Sequence, residues 1–169
     1  MALRIVARWR QEIRLVDGGR HNLIYYTKHL KSIPENPGVY VFARIHGRKV
    51  SPIYIGQADN LRKRIEQQFK SVPLMMGIKK LPRGKRVLIY CEPVFKRKQD
   101  RKKVINIIEK SLIDHVLSQG SELLNKQGTK RPAHTIQFSG NRISERIIPR
   151  KVLIKTALTK RSSRRKKRR

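Results

Sequence analysis

Cysteine is almost missing from this chain. Cys91 is the single thiol in 169 residues, so no disulfide can form within it. That suits a reducing, intracellular setting: the cytoplasm or nucleoid of a bacterium, or the nucleus or an organelle of a eukaryote. Cys91 closes the run Val87-Leu88-Ile89-Tyr90-Cys91, which reads as a buried strand with an inert core thiol. The five histidines are scattered, and no Cys/His grouping has the spacing of a zinc site. No apolar run approaches the length needed to cross a bilayer. No long amphipathic helix with bulky aromatics is evident, so a membrane is not expected as a partner. Internal repeats and helix-turn-helix patterns are also absent. Acidic residues are scarce, with 11 Asp and Glu against 42 Lys and Arg, for a net charge of +31.

What is present follows from that imbalance. The last ten residues, Lys160 to Arg169, hold eight Lys or Arg and no acid. Without them 34 basic residues still face 11 acidic ones, a net charge of +23, so the excess belongs to the whole domain. Self-repulsion of this size calls for a polyanionic partner, and nucleic acid is the leading candidate, DNA ahead of RNA. Hydrophobic residues make up 38%, enough for one packed core at this length. The tail 160–169 is expected to be disordered alone, to raise affinity without specificity and, in a eukaryote, to serve as a nuclear address.

Met1 to Arg14 is basic and apolar, and Leu3, Ile5 and Trp9 fit either a strand or an amphipathic helix. Its Arg-rich, acid-poor character also fits a transit peptide, although an integral arm of the domain is the favoured reading. Asp17-Gly18-Gly19 marks a turn, and His21 to Ser32 fits a helix ending before Pro34. Val39 to Phe42 and Pro52 to Ile55 read as two strands of a hairpin around Gly47. Asn60 to Phe69 reads as a helix, with Leu61, Ile65 and Phe69 at four-residue spacing and Asp59 or Asn60 as N-cap. Lys70 to Lys85 holds Pro73, Gly77, Pro82 and Gly84 and reads as a loop. Within Lys79 to Arg86, the cations Lys79, Lys80 and Arg83 are candidates for phosphate contacts, against the alternative of a solvated loop. Val87 to Phe95 reads as a third strand, Lys98 to Ser118 as a longer helix, and His134 to Phe138 and Arg150 to Ile154 as further strands.

On a helix over 101–117, Val104, Ile105, Ile108, Leu112 and Val116 define an apolar face. Glu109 projects onto it, whereas Asp114 falls on the opposite, polar side and reads as surface. Burying an ionised carboxylate without a partner is costly. A divalent cation or a buried arginine compensates, or the side chain sits at the edge and snorkels to water.

The hairpin brings Tyr40 and Tyr54 near each other in an unknown register, followed by the arginine-bearing helix Asn60-Leu61-Arg62-Lys63-Arg64-Ile65. The ordered set Gly38-Val39-Tyr40, Tyr54-Ile55-Gly56, Leu61-Arg62-Lys63-Arg64-Ile65, Glu109 and Asn125 resembles the GIY-YIG nuclease superfamily over roughly residues 37–125. Val39 is a mild, isosteric departure. The elements and the resemblance together predict an α+β, α/β/α sandwich-like fold. A small three-stranded antiparallel sheet is flanked by helices and carries N- and C-terminal extensions. The expected organisation is an extension over 1–36, the nuclease-like domain over 37–128, a strand-rich extension over 129–159, and the basic tail over 160–169.

The resemblance implies a metal-dependent endonuclease that hydrolyses phosphodiester bonds in DNA. Glu109 would ligate one Mg²⁺ or Mn²⁺, whose shell is otherwise water and phosphate oxygen. Arg64 would grip the phosphate with a planar, bidentate guanidinium. Tyr54 would act as the base for the attacking water, assisted by Tyr40. Without that context, both tyrosines read as core residues of a half-buried hairpin. Gly56 would allow close approach of backbone or substrate, Asn125 would brace the site, and Lys63 would contact the nucleic-acid backbone. Two further departures stand out. Gln68 occupies a position where many relatives carry His or Tyr, and Gln57 one where some carry Lys. Gln68 and the basic tail favour the alternative of a catalytically weak or inactive nucleic-acid-binding protein on the same fold, associated with RNA or a ribonucleoprotein.

Overall fold

The computed structural model describes residues 5–19 and 22–125, together with the backbone of two strands over 133–137 and 151–155. The chain divides into two compact units, Met1–Thr129 and Lys130–Arg169. In the first, strands β1 (Ala7–Trp9), β2 (Ile13–Arg14), β3 (Val16–Asp17) and β4 (Tyr25–Tyr26) precede a 3₁₀ turn at Leu30–Ser32. Then come β5 (Gly38–His46), β6 (Lys49–Ala58), α1 (Leu61–Phe69), α2 (Val72–Lys80), β7 (Lys85–Pro93) and α3 (Arg101–Ser118). In the second unit, β8 (Ala133–Gln137) and β9 (Lys151–Lys155) pair antiparallel, Ala133 opposite Lys155.

β5 is the centre of the main sheet, antiparallel to β6 on one side and β7 on the other. β1 and β2 both pair with the far edge of β7, making five strands. A strand covered on both faces reads as a continuous apolar run, and Gly38 to Ala43 is buried throughout. Tyr40 and Phe42 face a core shared with Leu61, Ile65 and Phe69 of α1 and Met75 and Ile78 of α2. Val39, Val41 and Ala43 face the other way, toward Ile105 and Ile113 of α3. The two-residue turn Gly47-Arg48 has Gly47 at φ 58°, the first-position left-handed geometry that type II′ hairpins reserve for glycine. Asn60 caps α1 by accepting from the Lys63 backbone N–H at 3.0 Å, and Asp100 caps α3 by accepting from that of Lys103 at 3.1 Å.

Four sequence expectations are corrected. The sheet has five strands rather than three, because residues 7–14 run as short strands along β7. The helix expected over His21 to Ser32 is instead β4 and a 3₁₀ turn, with His21 outside the described residues. The loop expected over Lys70 to Lys85 contains helix α2. Pro73 sits in its first turn, where a missing N–H loses no bond, and Gly77 faces Leu124 so closely that a Cβ would lie 2.8 Å from its Cδ1. Arg86, grouped with the phosphate-contact segment, is buried. It donates to the carbonyls of Ile78 (3.2 Å), Gly84 (3.0 Å), Leu81 (2.7 Å) and Pro82 (2.9 Å), closing the C-terminal end of α2.

Losing this arginine orphans several carbonyls at once. Arg86→Ala is expected to destabilise the protein by about 2–4 kcal/mol, read as a lower urea midpoint. A midpoint equal to wild type would show that water replaces the guanidinium without cost.

Residues 1–4, Phe138, Arg150 and the basic tail 160–169 lie outside the described residues, and with them the expectations made there. Among the described residues no helix is long and apolar enough to cross a membrane. The Cys91 thiol is buried, and burial pushes its pKa up to about 11.

Candidate active site

The β5–β6 register decides how the tyrosines meet. Tyr40 lies opposite Gly56, and Phe42 lies opposite Tyr54. The two tyrosines are therefore diagonal neighbours on one face, with ring centroids 6.2 Å apart and planes inclined by 29°. A register shift after Phe42 leaves Ile53 as an extra residue on β6, so Ile53 and Tyr54 both pack in the same layer. Tyr40 packs against Gly56. A Cβ at Gly56 would sit 2.5 Å from both Cζ and Oη of that ring. The openness expected at Gly56 for backbone or substrate is thus taken by Tyr40.

Tyr40 is fully buried and reaches Gln68, whose amide lies 2.9 Å from the phenol oxygen. With its carbonyl turned to the donors around it, Gln68 accepts from Tyr40 Oη at 2.9 Å and from Arg64 Nη2 and Nε at 3.2 Å each. Burial holds the Tyr40 phenol far above its ordinary pKa. Neighbouring Tyr54 adds to that, and the Arg64 guanidinium and Gln68 offset only part of it. Tyr40 is consequently a neutral donor at any working pH. Tyr54 is half-buried and lines the cavity with its ring.

Arg64 is exposed on α1, with its Nη2 and Nε held by the Gln68 carbonyl. Its neighbour Arg62 turns away. It donates to Ile33 O (2.7 Å) and Lys31 O (3.0 Å) and pairs with Glu35 at 2.7 Å, tying α1 to the preceding loop. Lys63 is exposed and does not line the cavity.

Glu109 enters from the opposite side of the sheet edge, on α3. It is half-buried and lines the same cavity of about 720 Å³ as Tyr40, Tyr54 and Arg64. Burial raises its carboxyl pKa, against the lowering pull of Lys110, the Gln57 backbone N–H and Arg64. Asn125 braces β6. Its Oδ1 accepts from Ile55 N at 3.0 Å and its Nδ2 donates to Ile55 O at 2.6 Å, so the amide substitutes for a neighbouring strand. Leu124 N donates to Ile53 O at 2.8 Å and continues that pattern.

The chain matches no protein-family model, no curated protein and no solved structure.

The structure thus gathers Tyr40, Tyr54, Gly56, Arg64, Glu109 and Asn125 at one cavity. Lys79, Lys80 and Arg83 are exposed and stand outside its lining. Asp114, expected at the surface, is half-buried. Sequence reasoning passed over Asn106, Lys110 and Ser71, which also line the cavity. Asn106 and Lys110 flank Glu109 on one helical face, so the same periodicity that singled out Glu109 would have found them. Ser71 is the N-cap residue of α2, a helix that Pro73 and Gly77 mask in the sequence.

Among the described residues Glu109 is the one acidic side chain lining the cavity, and no three His, Cys, Asp or Glu side chains come together. A hard oxygen donor whose burial is incompletely compensated fits a cation such as Mg²⁺, which takes one or two carboxylates and keeps several waters.

Proposed function

We propose that this protein is a metal-dependent endonuclease of the GIY-YIG type that hydrolyses phosphodiester bonds in DNA. The reading is carried by the convergence of Tyr40, Tyr54, Arg64 and Glu109, drawn from two strands and two helices, on one cavity. Glu109 and solvent would hold Mg²⁺ or Mn²⁺, which when bound polarises the phosphate and stabilises the leaving oxygen. Arg64, its head steadied by Gln68, binds the phosphate oxygens as charge accumulates on them. Tyr54 Oη accepts a hydrogen bond from the attacking water and orients it, and the proton released on attack passes to solvent. Tyr40 keeps its proton, and its ring stacks against Tyr54 to hold that orientation. Leu74, Ile113 and Leu124 supply apolar wall that limits water around the phosphate.

Arg64→Ala should reduce nicking of supercoiled plasmid in Mg²⁺ by about 10²–10³-fold, the typical loss when one preorganised donor to a developing anion is removed. Binding of the same plasmid should persist. Cutting at the wild-type rate by this variant would remove Arg64 from the chemistry.

One observation favours a second reading. Gln68 engages the Tyr40 hydroxyl and the Nη2 and Nε of Arg64 with hydrogen bonds and cannot itself serve as a base. A nucleic-acid-binding protein that has kept the cavity without its activity would look the same. Its mark is tight binding with no cleavage under any divalent metal.

A further inference from the structure

A second group of cations stands at the far end of the β5–β6 hairpin, away from the cavity. Arg44, Arg48 and Lys49 belong to the hairpin, while Lys80 ends α2, Arg83 lies in the α2–β7 connection and Lys85 opens β7. The fold brings the two sets together. Ile45 lies opposite Lys85, and Arg44 lies directly opposite Arg86 across β5–β7. The connection also packs tightly on the hairpin, since a Cβ at Gly84 would lie 2.8 Å from Arg44 Cγ and from Ile45 O.

Counter-charge is scarce here. Lys85 has Glu12 at 4.0 Å. Among the described residues no carboxylate pairs with Arg44, Arg48, Lys49, Lys80 or Arg83. Arg86 spends its guanidinium on carbonyls and keeps its charge, so Arg44 faces a like charge across the strands, a destabilising arrangement. A cluster that repels itself is relieved by an anion of repeating charge. A single small anion would leave most of these side chains unpaired. Val50 is the one exposed large hydrophobic side chain on the hairpin, too little apolar surface to anchor in a lipid headgroup layer.

We infer that this hairpin end is a second nucleic-acid contact, a grip on the phosphate backbone to one side of the scissile phosphate. The inference rests on the proposed function. From Tyr40 to His46 the strand advances about 20 Å at ~3.3 Å per residue. At 3.4 Å per nucleotide along one strand, that places the grip about six nucleotides from the cavity. The two contacts are separable, because no hairpin residue of the cluster lines the cavity.

The test is a salt series of fluorescence-anisotropy titrations on labelled duplex DNA and on structured RNA. Wild type is compared with Arg44→Gln/Arg48→Gln/Lys49→Gln and with Arg44→Lys/Arg48→Lys. The neutralised variant should bind more weakly, and its slope of log affinity against log salt should be shallower by about 2.7, at ~0.9 per lost phosphate contact. The lysine variant should keep the wild-type slope. A neutralised variant with the wild-type slope overturns the second contact alone. A slope lost in the lysine variant as well overturns its electrostatic origin. No binding of either nucleic acid by wild type, including capture only by anionic vesicles or acidic peptide, overturns the proposed function itself.

Discussion

Glu109→Ala should abolish metal-dependent cleavage, by about 10³-fold or more, while leaving nucleic-acid affinity largely intact. The affinity resides mainly in the cations, and among the described residues Glu109 is the one acid at the cavity. Single-turnover cleavage beside a binding titration separates the two quantities. A parallel fall in both would make Glu109 a structural residue instead. Acid should act on wild type as the substitution does. Without metal, burial raises the Glu109 carboxyl pKa, so protons compete with the cation for this carboxylate, and cleavage at lower pH should need more Mg²⁺. The same shift fixes the sign of the stability effect. The folded protein binds this proton more tightly than the unfolded chain. The resulting stabilisation is complete below the ordinary carboxyl pKa and is lost as pH rises through the raised one. Near neutrality the charged side chain is therefore a burden, and Glu109→Gln should raise Tm while still lacking activity. A lower Tm for Glu109→Gln at neutral pH would show that its Gln57 and Lys110 contacts outweigh desolvation.

Gly56→Ala is the second large effect. The new methyl would lie 2.5 Å from the Tyr40 ring, which is held by Phe42 edge-on at 5.9 Å, by Tyr54 and by Gln68. Forcing this ring aside should destabilise the protein by about 1–3 kcal/mol, as overpacking does, and should disturb Tyr54 and Gln68 together, eliminating cleavage. In a Tyr40→Ala background the same substitution should be nearly free, because the ring it strikes is gone. Urea unfolding of the four proteins gives the coupling. Additive effects would mean that Gly56 is needed for its backbone and not for Tyr40.

The hairpin and helices α1 and α3 were legible because their patterns are long. β5 contains the β-branched and aromatic run Val39-Tyr40-Val41-Phe42, and α1 and α3 carry both apolar periodicity and N-caps. Helix α2 was not, because Pro73 and Gly77 punctuate a loop as readily as a helix. Only the placement of Leu124 against Gly77 shows why glycine is tolerated there. The strands of residues 7–14 span two or three residues each, too few to show alternation. In the site, residue types and order pointed to Tyr40, Tyr54, Arg64, Glu109 and Asn125. What each one touches depended on register. Sequence could not show that Tyr40 fills the space above Gly56, or that Gln68 joins Tyr40 to Arg64. Nor could it show that Arg62 and Arg86, chemically identical to Arg64, are spent on backbone carbonyls.

The most direct measurement is wild-type nicking of supercoiled plasmid in Mg²⁺ and in Mn²⁺, with an excess of chelator and a matched RNA substrate as controls. The account predicts nicks in DNA that appear with either metal and vanish with chelator. Intact plasmid under both metals, from folded protein that binds it, would contradict the nuclease and leave the nucleic-acid-binding reading in its place.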